Sequence, residues 1–587
     1  MSRNDEVAAL FEEFADLLDA QDVDYKPQTY RRAAENIREF GQPIEAVAAE
    51  GQSSLEEIDG VGDAISSKII EYFETGEIEE LEEARADLPV DMAALTRVEG
   101  VGPKTVGRLY EALGVETLDD LEAAAQEGKI REVKGFGAKT EENILENIPF
   151  AREARERSLL GDARPVADDL LSYLSGLDAV AEAEVAGSIR RWRETVGDID
   201  VLVSSEDAER VVAAFTDWDD ATSVIESGES KASVRADGMR VDLRVVVPDE
   251  YGAALQYFTG SKEHNVTLRN RAIARELKMN EYGVFDVSEV EDPDAGQRVG
   301  ERVAGVTEEE MYAALDLAWT PPELREDTGE VDVAAEDDLP DLVTTGQVRG
   351  DLHTHTDWSD GSATLEAMLA GAEERGYDYH AVTDHATGPG MVGGVGLSDA
   401  ELGEQASVVA RAATEAEIEV FHGVEANIDA EGGLSVGDGL LDRRDIVVAS
   451  PHAALDQERE EATDRLVRAV EHPAVDVLGH PTGRLLNRRK GLELDYDRIA
   501  AAAAEAGTAL EVNANPHRLD LSGTGVRAAV DAGAPVVVNT DAHSPGELDY
   551  ARYGVHTARR GWAESADVLN TWGASDVRAF LGLANDV

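Results

Sequence analysis

To about residue 85, apolar positions recur every three or four residues, the period of helices with one face in a core. Helix-like runs continue as KTVGRLYEAL and AKTEENILENI. From about 163 to 320 the pattern is mixed. Short apolar runs (AEAEVAGSI, DIDVLVS, RVDLRVVV) alternate with helical ones and predict an α+β region with a mixed sheet. Residues 321–349 contain proline, are acidic and lack a period, so they predict a linker. After Gly350 the texture changes. Strand-like runs (DYHAVTDH, IEVFHGVEANI, DIVVASPH, VDVLGHP, ALEVNAN, PVVVNTDAH) are separated by alanine-rich helical ones. That rhythm predicts a parallel αβ barrel with its site at the C-terminal ends of the strands. At 587 residues the chain needs several cores.

Composition narrows the chemistry. With no cysteine, disulfides, thiolate metal sites and cysteine nucleophiles are excluded, and any metal must be held by His, Asp, Glu and water. No stretch approaches 18 apolar residues, and the first residues lack a signal-peptide core, so a soluble cytoplasmic protein without a membrane partner is expected. There are 122 acidic and 53 basic residues, a net charge of −69, and only ten of the basic residues are lysine. Such a balance argues by itself against a nucleic-acid partner, since phosphate binding runs on basic patches. The acid is spread over every segment, however, and the hydrophobic fraction is an ordinary 42%. This composition resembles proteins of salt-in halophiles, in which dense carboxylates keep a folded protein hydrated, and a halophilic archaeal source is expected.

One short motif recurs: Ile58-Asp-Gly60-Val-Gly62, Val98-Glu-Gly100-Val-Gly102 and Val133-Lys-Gly135-Phe-Gly137, each followed by a helix-like run. A glycine hairpin opening a helix presents backbone N–H groups to a phosphate, the helix-hairpin-helix pattern of DNA backbone binding. Further on, Gly187-Ser188 is followed by Asp198-Ile-Asp200 on a predicted strand, with both carboxylates on one face. Asp242 interrupts the apolar strand RVDLRVVV, a costly position unless paired or metal-bound. Three such carboxylates can hold two Mg²⁺ ions for in-line phosphoryl transfer, with Gly187 and Ser188 cradling phosphates.

Residues 1–320 resemble the family X DNA polymerases, small gap-filling repair enzymes with a nucleotidyltransferase palm. Tyr257-Phe258-Thr-Gly260-Ser261 resembles that family's YFTGS motif, whose aromatic pair lies under the incoming sugar. The resemblance implies that Ser188, Arg191 and Gly197 contact the triphosphate, and that Asn265 and Arg269 touch the minor groove and nascent pair. It also implies that Asp198 and Asp200 bind both metals, while Asp242 binds the catalytic one and assists deprotonation of the primer 3′-OH. Lys26-Pro-Gln-Thr-Tyr30 and Gly60-Val-Gly-Asp-Ala-Ile-Ser-Ser-Lys68 resemble the family's 5′-phosphate and lyase domain, with Lys68 on the Schiff-base lysine. Ala64 departs from the pattern, where better-known members carry a phosphate-binding lysine.

Of the 12 histidines, 11 follow residue 350 and only His264 precedes it. His353, His355, His385, Glu425, His452, His480, Asp541 and His543 each follow or end a strand-like run, and Asp360 lies in the loop after the first. These nine side chains suffice for about three metals with open positions, and their mixed imidazole and carboxylate character suits Mn²⁺ or Zn²⁺ better than Mg²⁺. Arg484 and Arg518 fall beside ligand runs and are candidates for gripping phosphate; the remaining histidines (His380, His422, His472, His517, His556) read as structural or supporting. Residues 350–587 resemble a PHP (polymerase and histidinol phosphatase) domain. That resemblance implies a distorted (β/α)7-type barrel with Mn²⁺-dependent 3′→5′ exonuclease and 3′-phosphatase activity, and abasic-site endonuclease activity as a further option.

The expected organisation is a lyase-like helical domain at 1–88, a helix-hairpin-helix domain at 89–150, a palm at 151–250, a nucleotide-selection subdomain at 251–320, the linker at 321–349, and the PHP domain at 350–587. The expected substrates are gapped or primed DNA and dNTPs, acted on by a monomer. Two other readings stand beside this one: a phosphoesterase whose first half only binds DNA, and a small-molecule phosphatase.

Overall fold

The computed structural model describes residues 3–23, 26–39, 44–56, 58, 60–98, 100–388 and 396–583. Asp59 and Glu99 of the repeated motif lie outside them. The chain divides into two compact units: Met1–Arg157 with Asn487–Arg489, and Ser158–Leu486 with Lys490–Val587. No helix of the described residues is long and apolar enough to cross a membrane.

The first unit is helical, as the apolar period predicts. Its three glycine hairpins share one geometry. Gly60, Gly100 and Gly135 have φ of 76°, 82° and 96°, a left-handed turn that a β-carbon disfavours. Gly62, Gly102 and Gly137 then cap the helices Asp63–Thr75, Pro103–Leu113 and Ala138–Glu156, in each case without a side-chain cap bond. The apolar residues around the first two hairpins (Ile58, Val61, Val98, Val101) are buried, each contributing about 1.5–3 kcal/mol, so hairpin and core form together.

In the second unit, a five-stranded sheet runs in the order Glu182–Val185, Ile199–Ser204, Met239–Val246, Lys231–Ala236, Ser223–Ser227. Ile199–Ser204 and Met239–Val246 are parallel and the other pairs antiparallel, the predicted mixed sheet. Val201, Val203, Val241 and Leu243 pack in one core with Leu170 and Leu174 of helix Leu160–Ser175 and Phe215 of helix Ala208–Thr216. Alternation along each strand therefore sends Asp200 and Asp242 to the other face. A smaller antiparallel sheet, Leu277–Asn280, Gly283–Asp286 and Glu301–Ala304, follows.

Beyond it, seven parallel strands stand in sequence order: Gly350–Asp351, Tyr379–Val382, Glu419–Asn427, Ile446–Ser450, Val477–Leu478, Ala509–Asn513 and Val536–Asn539. Leu352, Tyr379, Phe421, Ile446, Val448, Val477 and Val537 share one core. The ends of the sheet meet. His355 N donates to the Ala542 carbonyl (2.9 Å) and Asp541 N to the His353 carbonyl (3.0 Å). The sheet thus curls into a nearly closed barrel, as expected.

The stretch 321–349, expected as an acidic linker, is structured. It contains the short helices Pro322–Leu324 and Glu330–Ala335 and a turn at Thr345–Gln347. Arg325 is fully buried and donates to Glu308 (2.6 Å) and the Thr320 carbonyl (2.8 Å). Glu330 meets His264 at 2.5 Å, and Glu323 meets His556 and Arg559, each at 2.7 Å. Glu323 and Glu330, acids of this stretch, are thus buried partners of Arg559, His556 and His264.

Candidate metal centres

Asp200 and Asp242 are directly paired across the parallel strands, and Asp198 enters from the residue before its strand. One carboxylate oxygen from each of the three lies within 4.8 Å of the others. Burial pushes Asp200 up to about 7, and the charges of Asp198 and Asp242 add to this. A carboxylate trio held this close is relieved by a cation, and an all-oxygen donor set suits a hard divalent ion. Arg240, which the sequence reading passed over, donates from Nε to both oxygens of Asp242 (2.9 and 3.0 Å), and Ser233 donates to the same carboxylate. Gly187, at the start of the short helix Gly187–Arg190, has φ +60°, and a β-carbon there would lie 2.4 Å from Asp200 Oδ2. Glycine at 187 is therefore what lets the start of this helix approach the carboxylates.

The YFTGS run packs against the end of the same helix. Arg190 Nη1 donates to Thr259 Oγ1 (2.7 Å), and Arg191 Nη1 to the Thr259 carbonyl. Arg244 lies over the Phe258 ring at 4.1 Å, and Tyr257 meets Phe258 edge-on. Asn265 donates to the Tyr257 carbonyl (2.8 Å) and accepts from buried Gln256 (2.7 Å), while Arg269 Nε reaches the Asn265 carbonyl (3.3 Å). Phe258, Arg244, Arg240 and the carboxylates Asp200 and Asp242 line a cavity of about 230 Å³. In the first unit, Lys68 is buried, its ammonium 3.2 Å from Glu80 and beside the Tyr30 hydroxyl, whereas Lys26 is exposed.

The second centre gathers all nine predicted ligands around the barrel mouth. His355, Asp360, His385 and His543 form one group; His353, His355 and Glu425 a second; His385, Glu425 and His452 a third. Glu425 Oε1 also lies 3.0 Å from His480 Nε2, and Asp541 Oδ1 lies 3.0 Å from His355 Nε2. His353 Nε2, both ring nitrogens of His355, His452 Nδ1 and His480 Nδ1 are buried without a hydrogen-bond partner among the described residues. Orphaned buried nitrogens are costly, and those of His353 and His355 face the shared carboxylates Glu425, Asp541 and Asp360, so the donor set fits divalent cations. Burial presses His452 down to about 3, which keeps it neutral. Burial also presses on His543, but Asp360 and Asp541 outweigh it and raise that imidazole to about 9.

Several supporting residues escaped the sequence reading. Glu511, inside the apolar run ALEVNAN, is fully buried; its carboxylate accepts from His353 Nδ1 (2.7 Å), His480 N (2.6 Å) and Asn539 (3.0 Å). Asn513 donates to Asp541 (2.9 Å), and Glu547 accepts from His543 N (2.6 Å). The signal for Glu511 was the one that exposed Asp242, a charge inside an apolar strand. Arg484 is half-buried and engaged elsewhere, paired with Glu194 (2.9 Å) and donating to the carbonyls of Arg518 and Leu519. Arg518 instead faces the centre, its Nε 3.7 Å from Asp541 Oδ2.

Family models match four stretches of the chain. Residues 2–78 match a helix-hairpin-helix domain, 92–148 a tandem helix-hairpin-helix, 254–326 the DNA polymerase beta thumb, and 351–515 the PHP domain. The DNA polymerase/3'-5' exonuclease PolX of Bacillus subtilis (strain 168) is 35% identical over 566 residues, 95% of this chain and 96% of its own length. DNA polymerase lambda of Rattus norvegicus is 25% identical over 319 residues, 51% of this chain and 52% of its own. A probable phosphatase of Thermoanaerobacter sp. (strain X514) is 30% identical over 233 residues, 38% of this chain and 89% of its own.

Proposed function

Since the chain belongs to the family X DNA polymerases that carry a C-terminal PHP domain, we propose that it fills short gaps in DNA at the aspartate centre and trims or cleans 3′ ends at the histidine centre. It is an enzyme, a DNA polymerase with a phosphoesterase domain, and both halves are metal-dependent. What carries the fuller reading is that one chain holds two metal-suited clusters of different hardness. Mg²⁺ suits the oxygen set of Asp198, Asp200 and Asp242; Mn²⁺ or Zn²⁺, about three ions, suits the nine-residue set.

When bound, such ions supply Lewis acidity towards a phosphate. The chain's own residues do the rest. Gly187 and Ser188 offer the helix entry to the triphosphate, Arg191 adds a positive charge, and Arg240 holds the Asp242 carboxylate in place. Tyr257 and Phe258 give the sugar an aromatic floor, and Asn265 and Arg269 stand behind them. At the barrel mouth, Arg518 is placed to bind the phosphate of a DNA 3′ end. The glycine hairpins at 60–62, 100–102 and 135–137 present backbone amides to the DNA strand.

Primer extension on a gapped duplex, and 3′ degradation of the same DNA, test the assignment with Mg²⁺ and Mn²⁺ supplied separately. Asp200→Ala should abolish extension and spare degradation, and His355→Ala the reverse. Extension unchanged in Asp200→Ala would leave the first half a DNA-binding module only. Turnover of small phosphate esters without any DNA cleavage would favour a small-molecule phosphatase. Cleavage opposite an abasic site in the same assay tests the endonuclease option. Any 5′-deoxyribose-phosphate lyase activity runs through Lys68; borohydride should trap abasic DNA on the wild-type chain and not on Lys68→Ala. The acidic surface is an adaptation to high salt, in keeping with a halophilic source.

A further inference from the structure

Helix Ala551–Arg560 belongs to the barrel: Val555 and Ala558 lie in the barrel core, and Gly554 packs so closely that a β-carbon would come within 2.6 Å of Val538. Its opposite face meets the palm. Tyr553 joins the palm core, and the His556 ring lies flat on Trp192, 3.5 Å between centroids and 3° from parallel. Arg560, in the last turn, reaches furthest. Its Nη1 donates to the Arg191 carbonyl (2.7 Å) and to Glu326 (3.0 Å). Glu326 accepts in turn from Arg191 Nε (3.2 Å), and Arg191 Nη1 donates to the Thr259 carbonyl of the YFTGS run. The side chains of Arg560, Arg191 and Glu326 are only 12%, 13% and 19% exposed, so solvent screens these contacts little.

We propose that Arg560, a residue of the hydrolytic half, is a positioning residue for nucleotide addition, holding Arg191 at the triphosphate end of the polymerase site. Arg191 follows the short cradle helix and precedes Trp192, whose φ of 53° turns the chain sharply, so its backbone needs an outside anchor. Arg560 grips both ends of that residue: the main chain directly, and the guanidinium through Glu326. The contacts use Nε and Nη1 and leave Nη2 as the remaining donor for a phosphate. A guanidinium ordered before the nucleotide arrives binds it more tightly than one that must be ordered by it.

The inference rests on reading Arg191 as a phosphate contact, and the test separates the two. Steady-state dNTP incorporation is measured for the full-length wild type, Arg191→Met, Arg560→Met and the double variant, alongside 3′ degradation and melting temperature. Arg560→Met should raise KM for the dNTP about five- to tenfold with kcat within about twofold, leave 3′ degradation unchanged, and add nothing in the Arg191→Met background. An unchanged KM in Arg560→Met, with KM raised in Arg191→Met, overturns the positioning role alone. An unchanged KM in Arg191→Met overturns both readings. A loss of both activities together with a lowered melting temperature marks Arg560 as structural only. Should Arg560→Met not fold, Arg560→Lys takes its place in the cycle; it keeps a donor for the Arg191 carbonyl and loses the planar fork.

Discussion

At the scale of single residues, two substitutions separate the halves. Gly187→Ala forces a β-carbon against Asp200 from a left-handed backbone, and primer extension should fall at least a hundredfold while 3′ degradation persists. Extension near the wild-type rate would mean that the cradle does not approach the carboxylates. Glu511→Gln should weaken metal binding at the barrel about 10–100-fold, since the His353 and His480 groups lose the carboxylate that orients them. Metal titration of 3′ degradation would show it, with activity recovered at excess Mn²⁺. His543, pushed up to about 9, carries a proton at neutral pH that a metal must displace. Metal binding should therefore release protons and weaken as pH falls below 9; calorimetry in buffers of different ionisation enthalpy measures the release. The sequence exposed the ligands because histidines and acids punctuate apolar runs. It did not separate Arg484 from Arg518, one paired with Glu194 and the other beside Asp541, because that difference depends on partners outside each local run, Glu194 lying 290 positions away.

At the scale of elements, the repeated hairpins were legible because glycine carries its backbone meaning locally. Replacing Gly100 and Gly135 by Val places side chains at φ of 82° and 96°, about 1–2 kcal/mol of strain at each. Affinity for gapped duplex should drop about tenfold or more, with hydrolysis of a small phosphate ester unchanged. Equal affinity would remove the hairpins from the DNA interface. The packing of segment 321–349 was not legible, for the opposite reason. Its charges show no period, and only the fold brings Arg325 to Glu308, Glu330 to His264 and Glu323 to Arg559. Glu308, bonded by Arg190 and Arg325, is held at about 2 against the pull of burial. Helix Ala551–Arg560 and its two faces likewise emerge only in the fold.

For the whole molecule, a net charge of −69 sets the conditions under which the fold is stable. Screening shortens from about 10 Å at 0.1 M salt to about 3 Å at 1 M, so self-repulsion relaxes with added KCl. The melting temperature should climb steeply between these concentrations, and a flat profile would dismiss the salt adaptation. Closure of the barrel carries a different implication. His353 and Asp541 lie just past the C-terminal ends of the first and last strands, where two backbone bonds join the segments. A metal between their side chains is thus also a clasp across the seam of the sheet. Chelation should do more than silence hydrolysis: amide hydrogens of 350–356 and 536–543 should exchange faster than those of the middle strands. The ions that perform chemistry would then also keep the barrel shut.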